Sequence, residues 1–139
     1  MTKEELKSIL YLDQLINSKL RQLDQLKAYR ARLPAGSSDT GPVQSGLSDP
    51  TASAAIKIAM LDQSIVKDID KLVDLKMEAR ELFQGLDLEL HLKVVMEMRY
   101  LECMPWNRIA EILHYGPRHV FAMHSRALDI LFGGGKNGR

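Results

Sequence analysis

Three of the four histidines, His114, His119 and His124, recur at intervals of five residues near the C-terminal end of the chain. Two imidazoles that share a metal on one helix sit a turn apart, at i and i+4, and no HExxH pattern is present, so this spacing builds no zinc site. Cys103 is the single cysteine. It rules out an internal disulfide and any cysteine-cluster zinc site, it fits a reducing compartment, and with no ligand pattern around it, it reads as structural. Gly133-Gly134-Gly135 lies in the terminal tail and not at a strand-to-helix turn, so it does not cradle a phosphate. No paired carboxylates, no nucleophile with its base and no ligand cluster stand out, and the expectation is a non-enzyme with no metal and no cofactor. The same stretch is cationic instead. Residues 114–139 hold Arg118, Arg126, Lys136 and Arg139 against Asp129 alone, net +3, in a chain that is otherwise balanced, with 19 Lys/Arg and 18 Asp/Glu. A modest basic end is compatible with a polyanionic partner.

The elements that must position these residues are helical. The chain has 139 residues, 45% hydrophobic and 27% charged, an ordinary composition for one domain or a small domain with an elongated appendage. Aromatics, at 6%, are too few for a large aromatic-walled pocket. No run of 18 apolar residues exists, so no membrane span is expected, and MTKEELKSIL lacks the apolar core of a signal peptide. These features predict a cytoplasmic location.

Over residues 3–33, Ile9, Leu12, Ile16, Leu20, Leu23, Leu26 and Leu33 step by threes and fours, the stripe of a long helix with a narrow apolar seam. Thr2 and Glu5 form a capping-box pattern at its start, and Pro34 and Gly36 stop it. Residues 34–53, rich in Gly, Pro and Ser, read as a flexible linker. Residues 54–84 read as a second long helix, with Ile58, Leu61, Ile65, Ile69, Leu72, Leu75, Ala79 and Leu82 in its seam. The two helices are expected to pair as an antiparallel, coiled-coil-like hairpin over residues 1–85. A hairpin buries one seam only, so Leu6, Leu10, Leu15, Ile56, Val66 and Val73 are expected to stay partly exposed and to drive formation of a homodimer or higher oligomer, the alternative being that they pack against the C-terminal domain.

Gly85 breaks the pattern, and Asp87 is a plausible N-cap. Residues 88–101 read as a helix with Leu88, Leu92, Val95, Met96 and Tyr100 inward. After a break at 103–105, Pro105 or Trp106 begins a short helix with Ile109, Ala110 and Leu113 inward, and Trp106 reads as a core or helix-start anchor. His114-Tyr115-Gly116 is a tight turn. Pro117 suits the first position of a last helix, to about residue 131, where its missing N–H costs nothing. Val120, Met123, Ala127, Leu128 and Leu131 face inward there, and residues 133–139 form a flexible tail. Helix, short helix, three-residue turn and longer helix is the helix-turn-helix plan, here over 86–132, in which the second helix of the pair offers its N-terminal residues to the major groove. That helix shows Arg118, His119, Phe121, Ala122, Ser125 and Arg126 outward. The expected fold is therefore all-α, a long helical hairpin followed by a three-helix DNA-binding domain.

The stretch 94–130, VVMEMRYLECMPWNRIAEILHYGPRHVFAMHSRALDI, resembles region 4 of bacterial sigma-70 factors, through MRY before the turn, W-x-x-I-A-x-x-L, and V-x-x-M-x-S-R-A-L. With LDQLINSKL (12–20), GLSDPTASAAIKIAML (46–61) and DIDKLVDLKMEAR (68–80), nearly the whole chain is similar to a family of small phage and prophage proteins described as sigma-region-4-like transcriptional regulators. The resemblance implies promoter or operator recognition in a bacterial host by the helix at 117–131. By position, Pro117, Arg118, Phe121 and Ala122 would face the bases and Arg126 the backbone. Sigma factors usually carry Arg or Gln at several of these positions. Pro117, Phe121 and Ala122 cannot form bidentate hydrogen bonds to bases, although Phe121 and Ala122 can touch thymine methyls. Arg118 and His119 remain as polar readers, and Arg108, Arg126 and Lys136 as phosphate contacts.

Three functions fit this reading. The first is a regulator that binds double-stranded DNA, with the hairpin dimerising it or docking it on RNA polymerase. The second is a DNA-packaging subunit like the small terminases of phages, which combine the same parts in rings. The third is a protein-interaction adaptor with a degenerate helix-turn-helix, in which Phe121 contacts protein.

Overall fold

Thr2 and Glu5 open the first helix reciprocally. The Thr2 amide donates to Glu5 Oε1 at 2.8 Å and the Glu5 amide donates to Thr2 Oγ1 at 3.0 Å, so two amides at the helix start find acceptors. The helix, α1, runs over Lys3–Arg32. In the second helix, α2 (Pro50–Gln84), Asp49 Oδ1 accepts from the amides of Thr51 and Ala52, at 3.1 and 3.2 Å. Asp49-Pro50 is thus a helix start, with an N-cap carboxylate and a proline at the position that needs no donor. This corrects the expected linker, whose last four residues are helical.

In this computed structural model the described residues are 1–34, 49–85 and 88–133. The body of the expected linker, the N-cap role of Asp87, and Lys136 with most of the expected tail lie outside them. Among the described residues every regular element is a helix. The third, α3, spans Leu90–Met96 and continues into a wider turn, Glu97–Leu101, where hydrogen bonds reach five residues back: the Glu102 amide donates to the Glu97 carbonyl at 3.1 Å. Then come α4 (Trp106–Leu113) and α5 (Pro117–Leu128), the last extended by a similar turn, Asp129–Gly133. No helix among the described residues is long and apolar enough to cross a membrane.

The chain packs as two compact units. One is Gln14–Asp70, made of stretches of α1 and α2. Its core is a thin seam of Ile16, Leu23, Ala54, Ile58 and Ile65, flanked by the half-buried Leu26 and Leu61. Lys19 interrupts the seam. Its ammonium donates to Ser64 Oγ at 2.7 Å and pairs with Asp68, both charged side chains being about one-fifth exposed. Leu20 and Ile69, expected inside, are each 41% exposed. They neighbour Lys19 and Asp68 in sequence, and because the charged pair holds the inward position at that level, the leucine and isoleucine point out. Leu15, Ile56 and Val66 are exposed as expected.

The other unit combines Met1–Asp13 with Lys71–Arg139. Its core is fuller. Leu6, Ile9, Ala79, Phe83, Leu92, Val95, Met96, Ile109, Val120 and Ala127 are completely enclosed. For Leu6 the expected exposure gives way to the alternative of packing with the C-terminal part of the chain: the first turns of α1 share a unit with α3, α4 and α5, and an apolar side chain there is covered from more sides than a two-helix seam provides. Val73, on α2, stays exposed as expected. Phe83, one residue beyond the expected seam of α2, is an anchor of this core.

Candidate nucleic-acid interface

The turn between α4 and α5 fixes the candidate surface. His114 ends α4 in the left-handed region, at φ 60° and ψ 40°. The Tyr115 amide then donates to the Ala110 carbonyl at 3.0 Å and the His114 amide to the Glu111 carbonyl at 3.3 Å. This is the hydrogen-bond pattern of a Schellman ending, usually built with glycine. Gly116 is extended, Pro117 starts α5, and the Val120 amide donates to the Gly116 carbonyl at 3.2 Å.

Along α5, Val120, Met123, Ala127 and Leu128 are buried. Arg118, Phe121, Ala122 and Ser125 fall at i, i+3, i+4 and i+7, so they share a line along the opposite side, and all four are exposed. Pro117, His119 and Arg126 flank that line and are exposed too. No carboxylate occurs between Pro117 and Leu128, whereas two arginines and two histidines do. The seven α5 candidates thus share one solvent-facing surface.

The cations differ in how they are held. Arg108, on α4, pairs with Glu111 at 3.1 Å, and Arg126 lies 3.6 Å from Glu89, all four side chains being more than half exposed. Pairs this open contribute little stability and yield readily to a competing anion. Arg118 has no ion-pair or hydrogen-bond partner among the described residues. The His119 ring packs edge-on against Tyr115, with centroids 4.6 Å apart.

Behind this surface is an aromatic cluster. Phe121, still 48% exposed, meets the Trp106 ring edge-on at 5.2 Å. The Arg99 guanidinium lies over that indole, 4.2 Å from its centroid, and Arg99 Nη1 donates to the Met104 carbonyl at 2.9 Å. The His124 ring meets Trp106 edge-on at 4.7 Å and stacks on Tyr100 at 5.7 Å, and Tyr100 in turn contacts Phe83 at 6.5 Å. The Tyr100 hydroxyl and His124 Nε2 are 2.8 Å apart. Burial pushes the Tyr100 phenol up to about 12, with Arg99 pulling weakly the other way. Burial, then the positive charges of Arg99, Lys7 and Lys3, hold the His124 imidazole down to about 4. Both groups are neutral at pH 7, and the bond between them joins two uncharged partners.

This cluster is what the linear pattern missed. Trp106 does start α4 and is half-buried, but its role as a platform for Arg99, His124 and Phe121 depends on residues brought together only by folding. Arg108–Glu111 was available from its i, i+3 spacing, whereas Arg126–Glu89 joins α5 to the residue just before α3. Cys103 is half-buried, its thiol 3.9 Å from the Tyr100 carbonyl, and burial raises its pKa against the opposing pull of Lys76. No model of a known protein family matches the chain, and neither a curated protein nor a solved structure matches it.

Proposed function

We propose that this chain is a DNA-binding transcriptional regulator of the phage or prophage type. In this reading α3, α4 and α5 form a helix-turn-helix domain resembling sigma-70 region 4. The long helices α1 and α2 form an antiparallel hairpin that joins two copies or docks the protein on RNA polymerase. The observation that carries it is the outer face of α5: its leading turn is open to solvent, it bears no carboxylate, and Arg118 there has no partner among the described residues. A helix of this kind suits the major groove, with Arg118 as base reader and Arg108 and Arg126 released from their weak surface pairs onto phosphates.

Fluorescence-anisotropy titration of a duplex library, from 50 mM salt upward, tests this. Binding is expected to weaken steeply with salt, because phosphate contacts release counterions. Arg118→Ala is expected to cost about 1–3 kcal/mol on the preferred duplex and to relax its selectivity, whereas Arg126→Ala should weaken all duplexes alike and flatten the salt dependence. Failure of every duplex to bind at the lowest salt sinks the proposal.

One observation favours a second reading, a protein-interaction adaptor. The centre of the face is apolar, at Phe121 and Ala122, and Glu89 and Glu111 offset two of the surrounding cations. DNA affinity unchanged by Arg118→Ala with Arg126→Ala selects it. A packaging role separates by mass in light scattering, where a ring of many subunits, and not a dimer, is expected.

A further inference from the structure

We infer that α5 recognises DNA chiefly through the C5-methyl groups of its pyrimidines, with thymine as the principal ligand, and that Trp106 positions the side chain that reads them. The inference rests on the DNA-binding reading above and names what that site selects. The four side chains on the outer line of α5, Arg118, Phe121, Ala122 and Ser125, span about 10 Å of helix axis, which matches about three base-pair steps of a duplex. Its middle two members carry no hydrogen-bonding group. In the major groove the one apolar feature of a base edge is the pyrimidine C5-methyl, and alanine and phenylalanine are among the side chains that contact it.

Two features of the structure favour this ligand over an apolar protein surface. The first is charge. There is no acid on the helix between Pro117 and Leu128, and Arg118, at the leading end of the line, has no partner among the described residues, so whatever covers Phe121 must also accept that guanidinium group, as the acceptors of a major-groove base edge do. The second is rigidity. Phe121 is half exposed yet is held edge-on against Trp106, which is fixed in turn by Arg99 above its ring and His124 at its edge. A ring so braced loses little rotamer freedom when a methyl group meets it, so more of the contact appears as selectivity.

The test uses the full-length protein and four 20-base-pair duplexes at 50 mM salt: alternating dA-dT, the same with deoxyuridine for thymidine, alternating dG-dC, and the same with 5-methyldeoxycytidine. One buried methyl corresponds to roughly a fourfold change in affinity. The thymidine duplex is expected to bind about four- to fifteen-fold more tightly than its deoxyuridine counterpart. Preference for the methylated dG-dC duplex as well shows that the methyl is read wherever it occurs, and its absence confines the site to thymine; both support the inference. Phe121→Ala and, separately, Ala122→Ser should each shrink the thymidine preference, and Trp106→Phe should shrink it without touching DNA. Equal binding of the thymidine and deoxyuridine duplexes overturns the inference while leaving DNA binding intact, as does a preference that survives in both the Phe121 and Ala122 variants. No binding to any of the four overturns the DNA reading itself.

Discussion

The two compact units solve the burial problem differently. In Gln14–Asp70 two helix stretches meet along a seam in which no buried side chain is fully enclosed, exposures running from 2% at Ala54 to 8% at Ile58. In the unit of Met1–Asp13 and Lys71–Arg139 the contributing helices cover one another from several directions, and ten apolar residues reach 0%. Two helices alone cannot surround a side chain. The thin unit therefore leaves Ile56, Met60 and Val66 around 60% exposed and places a charged pair, Lys19–Asp68, at its centre line. The fuller unit presents the candidate interface, and its enclosed core, which holds Val120, Met123, Ala127 and Leu128, fixes which side of α5 faces out.

The sharpest way to break this contrast is by truncation. Phe83→Ala empties a site enclosed on every side and is expected to cost about 3–5 kcal/mol, whereas Leu23→Ala, in the seam, should cost about 2 kcal/mol because water reaches the space left behind. Urea unfolding followed by residue-resolved hydrogen exchange reads both. Equal costs would mean that the seam is as well enclosed as the core, for example by a second copy of the chain.

Acid sharpens the contrast next. His124 titrates at about 4 in the folded chain against an ordinary value of 6.5. Between those values the unfolded chain binds a proton that the folded chain refuses, so stability is full above about pH 6.5 and declines as pH falls toward 4. After discounting for the partial exposure of the ring, the loss is about 1–2 kcal/mol. It should be felt by amides of the fuller unit, and His124→Gln should flatten it. An unchanged slope in that variant assigns the acid sensitivity elsewhere.

The smallest effect is expected at the α4–α5 turn. His114 sits at φ 60°, which costs an L-residue about 1–2 kcal/mol, and glycine gives back part of that gain as extra freedom in the unfolded chain. His114→Gly is thus expected to stabilise by roughly 0.5–1 kcal/mol, visible as a rise in Tm.

Much of this architecture was legible before folding, and the exceptions have physical causes. The period of the apolar residues placed α1, α2 and the three shorter helices, and the turn chemistry of Pro105, Gly116 and Pro117 placed the ends of α4 and α5. Every α5 residue expected outward is outward, because a helix with one buried side leaves the other open. The errors arose where a position depends on partners far along the chain. Leu6 is covered by the C-terminal helices and not left for a second copy, a choice that the stepping of α1 alone does not decide, while Leu20 and Ile69 yield to a lysine–aspartate pair that apolar stepping cannot see. Phe83 could have been found, since it lies four residues after Ala79 on the same stripe. The aromatic group of Tyr100, Trp106, Phe121 and His124 spans 25 residues and three helices, and no local spacing encodes it.

The widened turn at Glu97–Leu101 carries a consequence of its own. It accommodates one more residue than an ordinary helical turn, and Arg99 and Tyr100 both lie within it. Deleting a single residue there would let the helix close at normal pitch, nearly in register with the segments on either side, but would remove the extra residue whose accommodation sets the directions taken by Arg99 and Tyr100. Arg99 could then no longer cap the Met104 carbonyl and lie over Trp106 while Tyr100 reached His124, so this short stretch tolerates substitution far better than any change of length.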